Sequence, residues 1–252
     1  MNIVSWNVNS LNVRLPHVLR YLEAKKPDVL ALQETKLPDE KFPRQAIEEA
    51  GYHVCFSGQK TYNGVAILSR ARPEDVQAGL PGFDDEQKRL VAATVDGVRI
   101  VNAYVPNGQE VGSEKYRYKF RWLDAFERFL AGELGRHERL VAVGDFNIAP
   151  TDADVHDPKR WRGKIMCSEA ERERFARLLA LGLTDAVRAV HPDAPMFTWW
   201  DYRLNAWARG WGLRIDHILA SPAMRPADAG VDADERAAER PSDHAPVWAS
   251  FK

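Results

Sequence analysis

The chain has 252 residues, 45 % of them apolar and 28 % charged, and its 35 Lys and Arg nearly balance 36 Asp and Glu for a formal charge of −1. That is an ordinary globular composition, long enough to bury a sizeable core, and it excludes the uniformly basic footprint of many non-specific nucleic-acid binders while leaving room for a local basic patch. No window approaches the roughly 18 consecutive apolar residues of a membrane span, and the start Met1-Asn2-Ile3-Val4-Ser5-Trp6-Asn7 has no charged segment leading into an apolar one, so a cytoplasmic location is expected by default.

In chain order, residues 3–6 read as a strand, followed by a helix opened at Pro16, a strand over 29–32 and a helix opened at Pro43 and stopped near Gly51. Four β-rich runs follow at 52–56, 65–68, 90–95 and 98–104, with Asp96-Gly97 as a two-residue hairpin turn. Ser113 is placed to cap a long helix in which Trp122, Phe126, Phe129 and Leu130 recur on one face. Ser168 with Glu171 reads as a capping box for a helix that buries Phe175, Leu178 and Leu179. Further strands are expected at 140–143, 197–200, 214–219 and 245–251. Cys55 and Cys167 lack CxxC or Cys/His spacing, which predicts reduced thiols.

No internal repeat or low-complexity tract divides the chain, so 1–252 is read as one domain, with mixed sheets covered by helices. A segment from 149 to 168 shows no clear period and carries Arg160, Trp161, Arg162 and Lys164; loops of that length in compact domains are functional or disordered.

The informative feature is that apolar strands end on, or adjoin, an acid, amide or imidazole. The run at 3–6 enters Asn7, that at 29–32 enters Gln33-Glu34, and that at 140–143 enters Gly144-Asp145 with Asn147 beyond. Leu213-Arg214-Ile215 leads to Asp216, and Ser242-Asp243-His244 precedes the final strand. Ligands in open α/β sheets gather at strand ends, and Glu34, Asp145, Asp216 and Asp243 offer hard oxygen ligands suited to Mg²⁺. Taken singly, each residue also reads as a turn former or helix cap.

These segments, with Leu32-Gln33-Glu34-Thr35-Lys36, Tyr62-Asn63-Gly64-Val65-Ala66 and Tyr104-Val105-Pro106-Asn107-Gly108, resemble the exonuclease III family of DNA repair nucleases, within the endonuclease/exonuclease/phosphatase superfamily, over essentially the whole chain. The resemblance implies a four-layer α/β sandwich of two packed mixed β-sheets flanked by helices. It implies Mg²⁺- or Mn²⁺-dependent hydrolysis of phosphodiesters in double-stranded DNA with abasic sites or damaged 3′ ends. By matching positions, Glu34 would hold the metal with Asn7 and Asp243 near it, and Asp145 and Asn147 would position or deprotonate the attacking water. His244, oriented by Asp216, would contact the scissile phosphate, and Tyr104 would contact it or assist the leaving oxygen.

Lys115 and Lys119, in an alternating basic and aromatic run, are expected to reach phosphates, and Asn107 to touch the substrate; the solvated-face reading of the run also stands. Trp199, Leu213 and Ile215 match the family's pocket for an extruded abasic sugar, against a bland reading as core. Met166 is expected to face that pocket and hinder internal abasic sites, favouring 3′-end cleaning. A monomer is expected. Two other readings stand: a superfamily relative acting on a lipid, inositol phosphate or nucleotide, and a catalytically silent DNA binder, which would be expected to lack Glu34, Asp145 or His244.

Overall fold

The computed structural model describes residues 1–252. Its elements run β1 Asn2–Asn7, α1 Leu11–Lys25, β2 Val29–Gln33, α2 Arg44–Glu49, β3 His53–Ser57, β4 Val65–Ser69, β5 Glu74–Ala78, β6 Leu90–Val95 and β7 Val98–Tyr104. There follow α3 Glu114–Leu134, β8 Leu140–Asp145, α4 Pro158–Trp161, α5 Glu169–Ala180, β9 Thr184–Asp185, α6 Ala186–Val190, β10 Asp216–Ala220, β11 Pro226–Val231 and β12 Val247–Phe251.

The strands form two six-stranded sheets, ordered β11-β12-β1-β2-β4-β3 and β5-β6-β7-β8-β10-β9. Each contains one parallel pair, β1 with β2 and β7 with β8, joined through α1 and α3; the other pairs are antiparallel. Alternation of side chains along a strand explains the layers. Ile3, Val29, Ala31, Val141, Val143 and Ile218 meet between the sheets. Their neighbours Val4, Trp6, Leu30 and Leu32 pack outward on α1 and α2, and Leu140 and Ala142 pack on α3 and α5. A sheet buried on both faces requires helices outside it, so the expected four-layer sandwich is the observed one.

Local signals act as read at most positions. Asp96 and Gly97 both have positive φ, 49° and 73°, the requirement of a tight I′ hairpin. Ser113 accepts the Tyr116 N–H, and Ser168 and Glu171 form a reciprocal capping box. Leu179 is half-buried where burial was expected.

Four expectations are corrected. Helix α1 starts at Leu11 and contains Pro16 in its interior, because the Ser10 and Leu11 N–H groups donate to the carbonyls of Glu34 and Thr35 and anchor the first turn before the proline. Residues 197–200 form only isolated bridges, Trp199 to Leu213 and to His244. The 149–168 segment contains α4 and buries Val155, Met166 and Cys167. The edge strands β5, β9 and β11 were not anticipated; β5 is mostly exposed, β9 has two residues, and β11 is poor in β-branched residues. Both cysteines are free and buried.

Candidate active site

Side-chain parity assembles the site. Asn7, Tyr104, Asp145 and Asp216 stand at even spacing from Ile3, Ile100, Val143 and Ile218, so each points into the gap between the sheets. β10 runs antiparallel to β8 with Asp216 opposite Asp145, and Tyr104 on β7 also pairs with Asp145. Strand ends and strand starts therefore meet at one rim. Deeper in the gap, Gln33 donates to Ser5 Oγ and to Asn102 Oδ1, and Asn102 donates to the Leu32 and Ala66 carbonyls. This buried polar link ties the two sheets together below the site.

At the rim, Asn7 Nδ2 donates to both Glu34 Oε1 and Asp145 Oδ2, at 2.9 Å each. The Asn147 N–H donates to Asp145 Oδ1 at 2.9 Å. His244 Nδ1 lies 2.8 Å from Asp216 Oδ2, and its Nε2 lies 3.7 Å from Asp145 Oδ2. Lys36 Nζ stands 2.9 Å from Glu34 Oε2. Glu34 and Asn147 hold φ of 52° and 51°, the left-handed region in which strain collects at functional sites. Gly144, at φ 147°, is required by packing: a Cβ there would lie 1.8 Å from the Ala103 carbonyl oxygen.

Burial raises the Asp145 carboxyl to about 7, with Asp216 and Glu34 adding to the rise and His244 opposing it. Burial would lower the His244 imidazole, but Asp216 and then Asp145 outweigh it and lift it to about 10. Glu34 is held below its ordinary range because Lys36, Asn7 and His244 overcome the opposing effect of burial. Tyr104 is raised well above its ordinary value by burial and by Glu34, so it remains a neutral phenol. The rim thus pairs a carboxyl poised near neutrality with an imidazolium.

Glu34, Asp145 and His244 each present a ligand atom, all within 4.8 Å of one another. The carboxylates of Glu34 and Asp145 are hard oxygen donors of the kind that fit a divalent cation. Asp243 sits one step outward, accepting from Asn9 Nδ2 and Trp199 Nε1.

Sequence reasoning missed four supports. Asn9 and Lys36 link the Asp243 and Glu34 segments; Thr198 Oγ1 accepts the Ile215 and Asp216 N–H groups; Ser242 Oγ donates to the Asn7 carbonyl. All are polar residues within or beside the quoted motifs, and that closeness was the available signal.

Lys119, expected to meet phosphate, is 0 % exposed. Its Nζ bonds Glu171 Oε1 and the Asn107 and Asn147 carbonyls, because the helical face carrying Trp122 and Phe126 also carries Lys119 inward. Lys115 is exposed and, with Asn107 and Tyr104, lines a groove of about 810 Å³. Asn107 Nδ2 donates to Asn147 Oδ1, and Asn147 Nδ2 to the Val105 carbonyl, so Asn147 acts on Asp145 through its backbone. The expected open pocket is filled: Met166, Leu213 and Ile215 pack together with Val155 and Cys167, and Trp199 packs against them half-buried.

The endonuclease/exonuclease/phosphatase family matches residues 4–244. Exodeoxyribonuclease III of Haemophilus influenzae is 39 % identical over 268 residues, covering 100 % of both chains. Among solved structures, a 3′ phosphatase from Neisseria bound to a product DNA hairpin is 54 % identical with a TM-score of 0.98, over 100 % of this chain and 99 % of that one. An AP endonuclease from Archaeoglobus fulgidus is 41 % identical with a TM-score of 0.96, over the same shares. The rim of acids, amide and imidazole is thus set in a chain alike to these relatives from end to end, and the chain belongs to the endonuclease/exonuclease/phosphatase family, as a hydrolase of the exodeoxyribonuclease III type.

Proposed function

We propose that this chain hydrolyses phosphoester bonds of duplex DNA at abasic sites and damaged 3′ ends, as a one-domain, monomeric, cytoplasmic repair enzyme. The observation that carries the reading is the continuous contact chain Asp216, His244, Asp145, Asn7, Glu34, assembled from five segments at the ends or starts of strands. Mg²⁺, or Mn²⁺ in its place, held by Glu34 with Asn7 and Asp243 near it, would polarise the phosphoryl oxygen and stabilise the leaving oxygen.

Asp145 takes the proton of the attacking water; a carboxyl near 7 suits a general base at neutral pH. The Asn147 N–H and Asn7 amide fix that carboxylate from two sides. His244, held protonated and oriented by Asp216, donates Nε2–H to a phosphate oxygen, and Tyr104 donates its phenol O–H beside it. Met166, 5 % exposed, closes the space beside Leu213 and Ile215 that an extruded sugar would need, so 3′-end processing, including 3′-phosphate removal, exceeds internal incision. The 54 % identity to a protein described as a 3′ phosphatase supports that ranking.

Three labelled duplexes test the reading, carrying an internal abasic analogue, a 3′-phosphate at a nick, or a recessed 3′-hydroxyl, each with Mg²⁺ and with chelator, against Asp145→Asn. Metal-dependent products from the wild type alone are expected, fastest from the 3′-phosphate. Survival of all three substrates despite binding would turn the reading to a silent DNA binder, and survival without binding to a non-DNA phosphoester.

A further inference from the structure

Lys119 and Glu171 form an ion pair between α3 and α5, with both side chains 0 % exposed. Packing does not call for charge at this place. Apolar residues of similar volume often match or improve on a buried ion pair, and α3 and α5 already share an apolar cluster through Trp122, Phe126 and Phe175. What the pair supplies is hydrogen-bond donors where water cannot reach. An ammonium has three N–H donors, and Lys119 Nζ has three acceptors: Glu171 Oε1, the Asn147 carbonyl at 2.8 Å and the Asn107 carbonyl at 3.2 Å. Glu171 is seated in turn, its Oε1 accepting the Met166 N–H and its Oε2 the Ser168 N–H and hydroxyl.

The two carbonyls lie on the loops that leave β7 and β8 at the rim. The first loop rests on the lysine stem, where a Cβ at Gly108 would stand 3.2 Å from Lys119 Cδ. The second carries Asn147, whose polar groups are all engaged. Its N–H donates to Asp145 Oδ1, its Nδ2 donates to the Val105 carbonyl, and its Oδ1 accepts from Asn107 Nδ2. Its carbonyl takes the charge-assisted bond from Lys119. The residue holds φ 51°, a strained setting that persists only where the surroundings over-determine it. Val105 and Asn107 fix the side chain, and Lys119 fixes the backbone. Without that hold, relaxation of residue 147 swings its N–H away from the carboxylate that serves as the base.

Resting on the hydrolytic reading above, we propose that Lys119, seated by Glu171, is a positioning residue for Asp145: it clamps the Asn147 backbone so that the 147 N–H stays on Oδ1 and the carboxylate keeps one orientation. The lysine touches neither substrate nor water, and it acts on the rate through the loop alone.

The test follows steady-state hydrolysis, with Mg²⁺, of a duplex carrying a 3′-phosphate at a nick. It compares the wild type, Lys119→Met and a control, Arg99→Met, each assayed where circular dichroism shows it folded. Arg99→Met breaks another buried ion pair, to Glu133, at the end of β7 remote from Tyr104, so it reproduces the loss of a buried cation without the loss of a contact to Asn147. Lys119→Met is expected to lower kcat about tenfold, because small misplacements near a reacting group are costly, with KM unchanged and with Lys119→Arg restoring most of the rate. Arg99→Met keeps the wild-type kcat. Hydrogen exchange at the Asn147 amide rises in Lys119→Met and stays slow in Arg99→Met. If Lys119→Met fails to fold, Glu171→Gln, which keeps the shape and removes the charge that seats the ammonium, decides by the same two readouts with a smaller fall in kcat. A wild-type kcat with a protected 147 amide in the folded variant, or an equal fall in Arg99→Met, overturns the inference, and cleavage by the wild type then leaves the repair reading standing. A wild type that cleaves no DNA removes the repair reading, and this inference with it.

Discussion

Arg214 lies two residues before Asp216 and is the hub of a buried ion cluster. Its Nε donates to Asp154 Oδ1 at 2.6 Å, one Nη donates to Asp185 Oδ2 at 2.7 Å, and that Nη lies 3.1 Å from His217 Nδ1. The residue is 1 % exposed. Arg214→Met fills most of the volume and removes the charge. Asp154 keeps Arg188 and the Thr151 hydroxyl, whereas Asp185 keeps the Val187 and Arg188 N–H groups on its other oxygen and the His217 imidazole 3.8 Å from Oδ2. Removing one partner of such a buried pair costs about 3–5 kcal/mol, a large part of the roughly 5–15 kcal/mol that holds a domain folded.

The sharper test is pH. Burial tends to raise both carboxyls, but Arg214 overcomes it and holds Asp154 and Asp185 below the ordinary range. A depressed carboxyl contributes stability that is complete above its unfolded pKa of about 3.9 and lost as pH falls toward the folded value. In Arg214→Met, burial acts on Asp185 with only His217 left to oppose it, and the expected result is a pKa above the unfolded value. The sign then reverses: the group destabilises at neutral pH, and the penalty fades as pH falls through the raised value. Urea unfolding of wild type and variant should show a gap of about 3–5 kcal/mol near pH 7 that narrows by about pH 4. A gap below about 1 kcal/mol at neutrality, or one equal at every pH, refutes the reasoning.

Three further outcomes are expected. Asp216→Asn removes the charge that lifts His244, so its imidazole falls toward about 6.5 and hydrolysis declines as pH rises through about 7 to 8; a pH–rate profile superimposable on the wild type would contradict the orienting role. Met166→Gly loses about 2–5 kcal/mol of packing but relieves a residue held at φ 67°, worth about 1 kcal/mol, and raises abasic incision relative to 3′-phosphate removal; an unchanged ratio sinks the gating role. Lys119→Met leaves Glu171 buried without its cation and lowers stability by about 3–5 kcal/mol with the salt slope of DNA binding unchanged, whereas Lys115→Gln reduces that slope by about one; the reverse pattern would restore Lys119 as a phosphate contact.

The strand ends were legible because an apolar run that stops on an acid or amide is read without knowing the fold. What stayed hidden depends on partners distant in sequence. Lys119 sits among Lys115, Arg117 and Arg121 and looks solvated; only the approach of Glu171 and of the 107 and 147 carbonyls buries it. Pro16 signals a helix start, yet backbone donors reaching Glu34 and Thr35 begin the helix at Leu11. The aromatic run at 197–200 looks like a strand, but its backbone bonds are divided among Leu213, Asp243 and Ala245 and form no continuous ladder. Leu213 and Ile215 are apolar in either reading, and whether they border a void or fill one depends on the approach of Val155, Met166 and Cys167, which are remote in sequence.

The position of the site follows from the same parity that builds the core. Residues 3, 29, 31, 141, 143 and 218 make the inter-sheet space apolar; one step along the same faces Ser5, Gln33 and Asn102 make it polar and hydrogen-bonded across the sheets, and one step further Asn7, Tyr104, Asp145 and Asp216 reach the rim. Water is excluded progressively along that line, so the last acids are desolvated by the sandwich itself rather than by a lid. Desolvation is the largest influence on Asp145 and the reason a common carboxyl sits near 7. A substitution that loosens the sheet contact at Gln33 or Asn102 should therefore lower the Asp145 pKa without touching it, shifting the acid limb of the pH–rate profile downward in Asn102→Ser, while an unmoved limb would place the control of that carboxyl in its immediate neighbours alone.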